Sequence, residues 1–127
     1  MSDQCPFCSL SHFVPSTSVG LVVRDAFPLT EGHTLIVPRQ HIASLFELTV
    51  DEQAELWQLV AQVRSSLVEQ FHPDAFNIGI NDGEAAGQTI PHAHIHVVPR
   101  YRGDVADPRG GVRWVIPQKA AYWEVRS

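Results

Sequence analysis

Apolar and polar positions change their period several times along the chain. STSVGLVVRD (16–25) and HTLIVPR (33–39) are short runs rich in Val, Leu and Ile on either side of the turn-prone AFPLTEG, which predicts two β-strands joined as a hairpin or meander. From Leu48 to Phe71 the period lengthens to that of a helix, with Ala54, Trp57, Val60, Ala61, Leu67, Val68 and Phe71 on one side. Thr49 with Glu52 forms a capping box and Pro73 marks a stop, so one long helix is predicted over residues 50–71. AFNIGIND (75–82) and HAHIHVVPR (92–100) alternate as strands around the glycine-bearing loop GEAAGQT (83–89). Strands joined by short loops, with one helix, predict an α+β fold with an antiparallel sheet. The Gly- and Pro-rich remainder reads as a strand between loops, anchored by Trp114, Tyr122 and Trp123.

Within the last predicted strand, GQTIPHAHIHVVPRY (87–101) sets a histidine at every second position of an apolar run. Side chains alternate across a strand, so His92, His94 and His96 share one face, with neighbouring imidazoles roughly 6.6 Å apart. At that spacing all three cannot bind one atom, and their roles must differ. A neutral imidazole is a nucleophile near pH 7, and a protonated one donates to a phosphate oxygen. The preceding loop supplies Gly83 and Gly87, whose backbone N–H groups can approach an oxyanion, and Asn81, Gln88 and Thr89, whose side chains can donate. No Walker-type lysine follows the glycines. A strand of solvent-facing histidines explains one such residue easily and three poorly.

Composition narrows the partners. The 127 residues are 44% apolar, enough for one compact domain. A formal net charge of −5 argues against a long nucleic acid and leaves small phosphorylated ligands open. Arg100, Arg102, Arg109, Arg113 and Lys119 form a local positive stretch, which is either a ligand-facing surface or a solvated tail. The N-terminal MSDQCPFCSLSHF has no basic segment leading into an apolar core, and no run approaches the roughly 18 apolar residues of a membrane span, so a cytoplasmic location without membrane contact is expected.

Cys5 and Cys8 form a single Cys-x-x-Cys pair, which in a reducing compartment points to metal or redox chemistry before a structural disulfide. A structural zinc needs four ligands, and His41 and His92 are candidates for the other two. A thioredoxin-like pair fits less well because no strand precedes Cys5. His41 can also be read as capping the turn into the helix. His12 and His72 read as surface residues, His72 being favoured at a helix end by the macrodipole.

His92-Ala-His94-Ile-His96-Val-Val resembles the signature of the histidine triad superfamily of nucleotide hydrolases and transferases. GHTLIVPRQHIASLFEL, the capped helix, NDGEAAGQT and PRYRGD follow in the same order, so the resemblance covers about residues 20–104, and within it DGEAAGQT and PRYRGD look most like the fragile-histidine-triad branch, whose members split dinucleoside polyphosphates. It implies a triad domain over residues 1–104; residues 105–127 match nothing with an assigned role and are expected to be an extension packed on the same domain. It also implies a sheet of about five strands carrying one helix, extended across a homodimer.

The resemblance further implies that His94 is the nucleophile on the α-phosphorus, that His96 holds a non-bridging oxygen, and that Asn81, Gly87, Gln88 and Thr89 line the phosphates. His33 matches a family histidine near the triad, or is a satisfied strand histidine. Asp25 sits where the family places a group on the ribose hydroxyls, or is ordinary turn chemistry. Phe27 would wall the base. Members with an N-terminal Cys pair complete a zinc site with the histidines at the positions of His41 and His92, which would make zinc structural here. The function implied is a nucleotidyl hydrolase acting through a nucleotidyl-histidine. The rivals are a nucleoside phosphoramidate hydrolase and a nucleotide-binding regulatory module with little turnover.

Overall fold

The computed structural model describes residues 5–8 and 17–124. The predicted hairpin is present as β1 (Gly20–Arg24) and β2 (Thr34–Pro38), paired antiparallel with Gly20 opposite Pro38 and Arg24 opposite Thr34. The helix α1 spans Val50–Phe71. At its start the Thr49 side chain accepts from the Glu52 N–H while the Glu52 carboxylate accepts from the Thr49 N–H, the reciprocal cap the sequence predicts. At its end His72 adopts a left-handed conformation, φ 52°, ahead of Pro73.

After α1 come β3 (Ala75–Gly79) and β4 (Ile95–Arg100). Among the described residues the sheet has four antiparallel strands, in the order β1-β2-β4-β3, where about five were expected. The predicted last strand also begins later than its alternation suggests. Pro91 has no N–H to give to a ladder, and the Ala93 N–H goes to the Ile42 carbonyl at 2.7 Å, so His92 and His94 precede β4 and only His96 lies in it. The segment after β4 is not a strand. It forms single helical turns at Gly111–Val115 and Tyr122–Glu124 around a short helix α2 (Pro117–Ala120). Ala120 is buried, Trp123 is half-buried and Trp114 is 46% exposed, whereas Tyr122, at 59% exposed, anchors the segment less than the sequence suggests.

One face of the sheet takes the helix. Val22, Ile36, Ile95 and Val97 pack against Leu56, Leu59, Val60, Val63 and Leu67. A Cβ on Gly20 would fall 2.6 Å from Leu56, so a glycine is what lets α1 approach β1. The buried stripe is rotated from the expected one: Ala54, Trp57, Ala61 and Val68 are exposed, and Leu56, Leu59 and Val63 take their place beside Val60 and Leu67. The opposite face carries Leu21, Val23, Leu35 and Val37, covered by Cys5 and Phe7. Leu35 pairs with His96, so His96 belongs to this second face. Among the described residues no helix is long and apolar enough to cross a membrane. His12 lies outside the described residues.

Candidate active site

The three triad histidines have different surroundings. His92 is fully buried where the chain passes the end of β2. Its Nε2–H donates to the Pro38 carbonyl at 2.8 Å, which leaves the Nδ1 lone pair for what lies on the other side. There it meets Cys5 Sγ at 3.4 Å, Cys8 Sγ at 3.5 Å and His41 Nδ1 at 3.1 Å, and Cys8 Sγ is 2.9 Å from His41 Nδ1. The four ligand atoms lie within 4.8 Å of one another. Around a tetrahedral zinc, Zn–N of about 2.0–2.1 Å and Zn–S of about 2.3 Å put ligand atoms roughly 3.3–3.8 Å apart. The donor set suits a tetrahedral cation, with both cysteine–His92 distances inside that range and the two distances to His41 somewhat short of it.

Burial keeps His92 neutral by lowering its pKa, against the opposing pull of the Pro38 hydrogen bond. Partial burial, then the neighbouring Cys5 thiol, raises the pKa of Cys8; a cation would act in the opposite sense by stabilising the thiolate. Cys5 and Cys8 share no disulfide.

His94 is oriented by its own chain. Its Nδ1–H donates to the His92 carbonyl at 2.9 Å, which leaves Nε2 with a lone pair and no proton. The ring meets Phe7 edge-on at 5.0 Å and His96 at 5.0 Å between centroids, closer to His96 than the ideal strand spacing because His94 lies outside the ladder. Phe7 also touches His92, at 5.6 Å. Its place between the two cysteines is the sequence signal that this aromatic was to fold over the triad.

His96 is fixed from the β1–β2 loop. The Leu29 N–H donates to His33 Nδ1 at 3.1 Å, so the His33 proton is on Nε2, which lies 2.9 Å from His96 Nδ1 and 3.5 Å from Asp25 Oδ2. A proton donated by His33 Nε2 places the His96 proton on its own Nε2, the one ring nitrogen left to act as a donor. Burial pushes the His96 pKa down to about 4, with His94 and His33 acting in the same direction and Asp25 against them. His33 is lowered by burial, with Asp25 opposing.

The remaining expected residues are placed as follows. Asp25 Oδ1 accepts from the Phe27 N–H at 2.8 Å, closing the turn, while Oδ2 faces His33. Phe27 is 87% exposed. Asn81 and Thr89 are exposed in the segment between β3 and β4. Gln88 is occupied at both ends: Oε1 accepts from the Gly83 N–H at 2.9 Å, and Nε2 donates to the Ala43 and Ile90 carbonyls at 2.9 and 3.0 Å. Gly83 and Gly87 take positive φ, 105° and 100°, and the Gly87 and Gln88 N–H groups bond inside the loop, to Glu84 and Gly83. The loop thus presents a self-satisfied turn braced against the chain after β2, with its amides turned inward.

Three of the five C-terminal cations are already engaged within the protein. Arg100 binds Asp104 through two nitrogens at 2.7 and 2.8 Å, Arg109 binds Asp107, and Arg113 donates to the Ala120 and Lys119 carbonyls. Asp104 is held well below the usual carboxylate range by Arg100.

A family model described as HIT domain matches residues 10–103. The chain belongs to the HIT domain family. It is 33% identical to Protein hit of Bacillus subtilis over 110 residues, covering 81% of this chain and 76% of that protein. It is 45% identical over 90 residues to the bifunctional bis(5'-adenosyl)-triphosphatase/adenylylsulfatase FHIT of Arabidopsis thaliana, covering 70% of this chain and 49% of that protein, so the chain spans about half the length of this relative. A crystal structure of a Zn-bound histidine triad family protein from Mycobacterium smegmatis superposes with a TM-score of 0.74 at 33% identity, over 84% of this chain and 82% of that chain. The HIT domain of this chain has two features that its sequence does not announce. They are the Pro38 carbonyl that orients His92 and the use of Gln88 as a brace, since neither a backbone acceptor nor a side chain's choice of partner leaves a mark on residue type.

Proposed function

We propose that this HIT domain is a nucleotide hydrolase that breaks the bond between the α-phosphorus and its leaving group by way of a nucleotidyl-histidine. The observation that carries the reading is the His94 Nε2 lone pair, set free by the Nδ1–H bond to the His92 carbonyl and standing beside His96. In the first step that lone pair attacks the α-phosphorus, a P–N bond forms, and the P–O bond to the leaving phosphate chain breaks with its electron pair on the departing oxygen. The His92 carbonyl keeps its hydrogen bond to Nδ1–H as the ring becomes cationic. In the second step a water oxygen attacks phosphorus, the P–N bond breaks, the electron pair returns to Nε2, and the water's proton passes to solvent. His96 Nε2–H donates to a non-bridging oxygen throughout, positioned by His33. Asp25 would take the ribose hydroxyls beside them, with Asn81 and Thr89 on the side of the phosphates. Dinucleoside polyphosphates are the substrates favoured by the likeness to the Arabidopsis triphosphatase.

Cys5, Cys8, His41 and His92 would hold one zinc ion with a structural role, a reading supported by their spacing and by the Zn-bound relative. Held there, the ion would tie the N-terminal turn and Phe7 to the chain that carries His94. A homodimer is part of the same proposal, with β3, an edge of the sheet among the described residues, placed to pair across a two-fold axis. Its test is the mass in solution by light scattering.

The deciding experiment is mass spectrometry of protein quenched during turnover on diadenosine triphosphate. An adenylate adduct on the peptide holding His94 is the expected result. An adduct on His92 or His96, or turnover with no adduct at any quench time, would overturn the covalent route.

A further inference from the structure

The sheet face that carries His96 continues beyond the triad. Gly79 pairs with His96 and Asn77 with Val98, and residues two apart on a strand share a face, so His96, Val98 and Arg100 form a row on the side away from α1. Along that row lies a cavity of about 570 Å³. Val98 and Asn77 form its floor, Leu29 of the β1–β2 loop one wall, and Val105, Val112 and Trp114 of the segment after β4 the other. This is within the range of sites that enclose a small organic ligand. Between the cavity and the His96 imidazole the floor is bare: a Cβ built on Gly79 meets no atom within 4 Å. Leu29 is also the residue whose N–H orients His33, so one loop serves both the triad and the cavity wall.

The charges in the wall define what fits. The Arg100 guanidinium is committed to Asp104 and Asn77, and Asp107 adds a second carboxylate that is bound to Arg109. A phosphate entering here would find its cation already neutralised and two carboxylates nearby. An uncharged planar group would find the indole of Trp114, held by its Nε1–H to the Arg109 carbonyl at 2.8 Å, and the exposed side chains of Leu29 and Val112.

We propose that this cavity receives the second nucleoside of a dinucleoside polyphosphate, the one carried away with the leaving group, its base against Trp114 and its phosphate chain crossing Gly79. The inference rests on the nucleotidyl-transfer reading of the triad and adds to it a subsite built by residues 105–114. That segment then has a role in choosing the leaving group, and substrates lacking a distal nucleoside do not use it.

The test compares diadenosine triphosphate with adenosine 5'-phosphoramidate, which has no second nucleoside. Val112→Lys puts a long charged side chain at a position 69% exposed, where folding has little at stake, and Trp114→Ala removes the aromatic wall. Both should lower kcat/KM on diadenosine triphosphate by about tenfold, the order expected for loss of one base–aromatic contact, and leave the phosphoramidate reaction unchanged. Equal losses on both substrates, or no loss on either, would overturn the subsite. If Val112→Lys also changes the molecular mass by light scattering while both reactions fall together, the surface is an interface between copies and the proposal is wrong. If the wild-type protein hydrolyses neither compound, the nucleotidyl-transfer reading fails by itself. The subsite is then decided by titrating the tryptophan fluorescence with AMP and with a methylene-bridged diadenosine triphosphate. Tighter binding of the dinucleoside that Val112→Lys abolishes supports the cavity, and equal affinities overturn it.

Discussion

His33 Nε2 and His96 Nδ1 stand 2.9 Å apart, two buried or half-buried imidazoles sharing one proton in a contact that begins at the Leu29 N–H. The arrangement requires His96 to be neutral, because a proton on its Nδ1 would turn two N–H groups toward each other and put a cation in a half-buried site.

That requirement gives a pH dependence of stability with a definite sign. The pKa of His96 falls from the ordinary imidazole value of 6.5 to about 4 on folding, and that of His33 also falls. Between those values the unfolded chain binds more protons than the folded one, so stability is greatest above pH 6.5 and is lost as the pH falls toward 4. The melting temperature should therefore decrease over that interval. In the His33→Asn/His96→Asn double variant the decrease should be shallower by differential scanning calorimetry in the same buffers. An equal slope in both proteins would show that these rings are not the cause.

His94→Ala removes the attacking nitrogen and should cost several orders of magnitude in kcat, while AMP still binds by isothermal titration. His96→Ala should weaken binding and rate together, since its Nε2–H serves ground state and transition state alike. Near-normal turnover in His94→Ala would exclude this histidine as the nucleophile.

The Cys5–Cys8–His41–His92 cluster should carry about one zinc per chain when the protein is purified without chelator, because two thiols and two imidazoles gathered within 4.8 Å are the donor set of a structural zinc site. Cys8→Ser should lose the metal and lower the melting temperature, yet retain measurable hydrolysis because His94 is untouched. Emission spectroscopy for zinc, read beside the melting curve, checks both. Metal-free wild-type protein whose melting temperature does not rise on adding zinc would remove the site.

The buried stripe of α1 can be separated from the exposed one by two substitutions. Leu59 is 1% exposed in the core, and Leu59→Ala should cost about 2–5 kcal/mol. Trp57 is 47% exposed, and Trp57→Ala should cost less than about 1 kcal/mol despite the larger side chain removed. Urea denaturation of the two variants measures the difference, and comparable losses would contradict the orientation of the helix.

Features that the chain encodes locally are legible in the sequence by itself. The Thr49–Glu52 cap, the Pro73 stop, the hairpin around residues 26–32 and the alternation of three histidines each depend on residues within a few positions of one another, so periodicity and cap chemistry suffice to find them. Helical spacing does not say which side of α1 is buried, because apolar residues lie on more than one side of it. Contact with Gly20, Ile36 and Ile95 on distant strands selects Leu56, Leu59 and Val63 over Ala54 and Trp57. The meeting of Cys5, Cys8, His41 and His92, separated by as many as 87 positions, is legible only through the family resemblance, because spacing along the chain fixes no contact between them. Only the tertiary structure decides which nitrogen of each triad histidine carries the proton. That choice is made by the carbonyls of Pro38 and His92 and by His33, and a backbone acceptor is present at every residue, so nothing in the sequence marks the ones that are used.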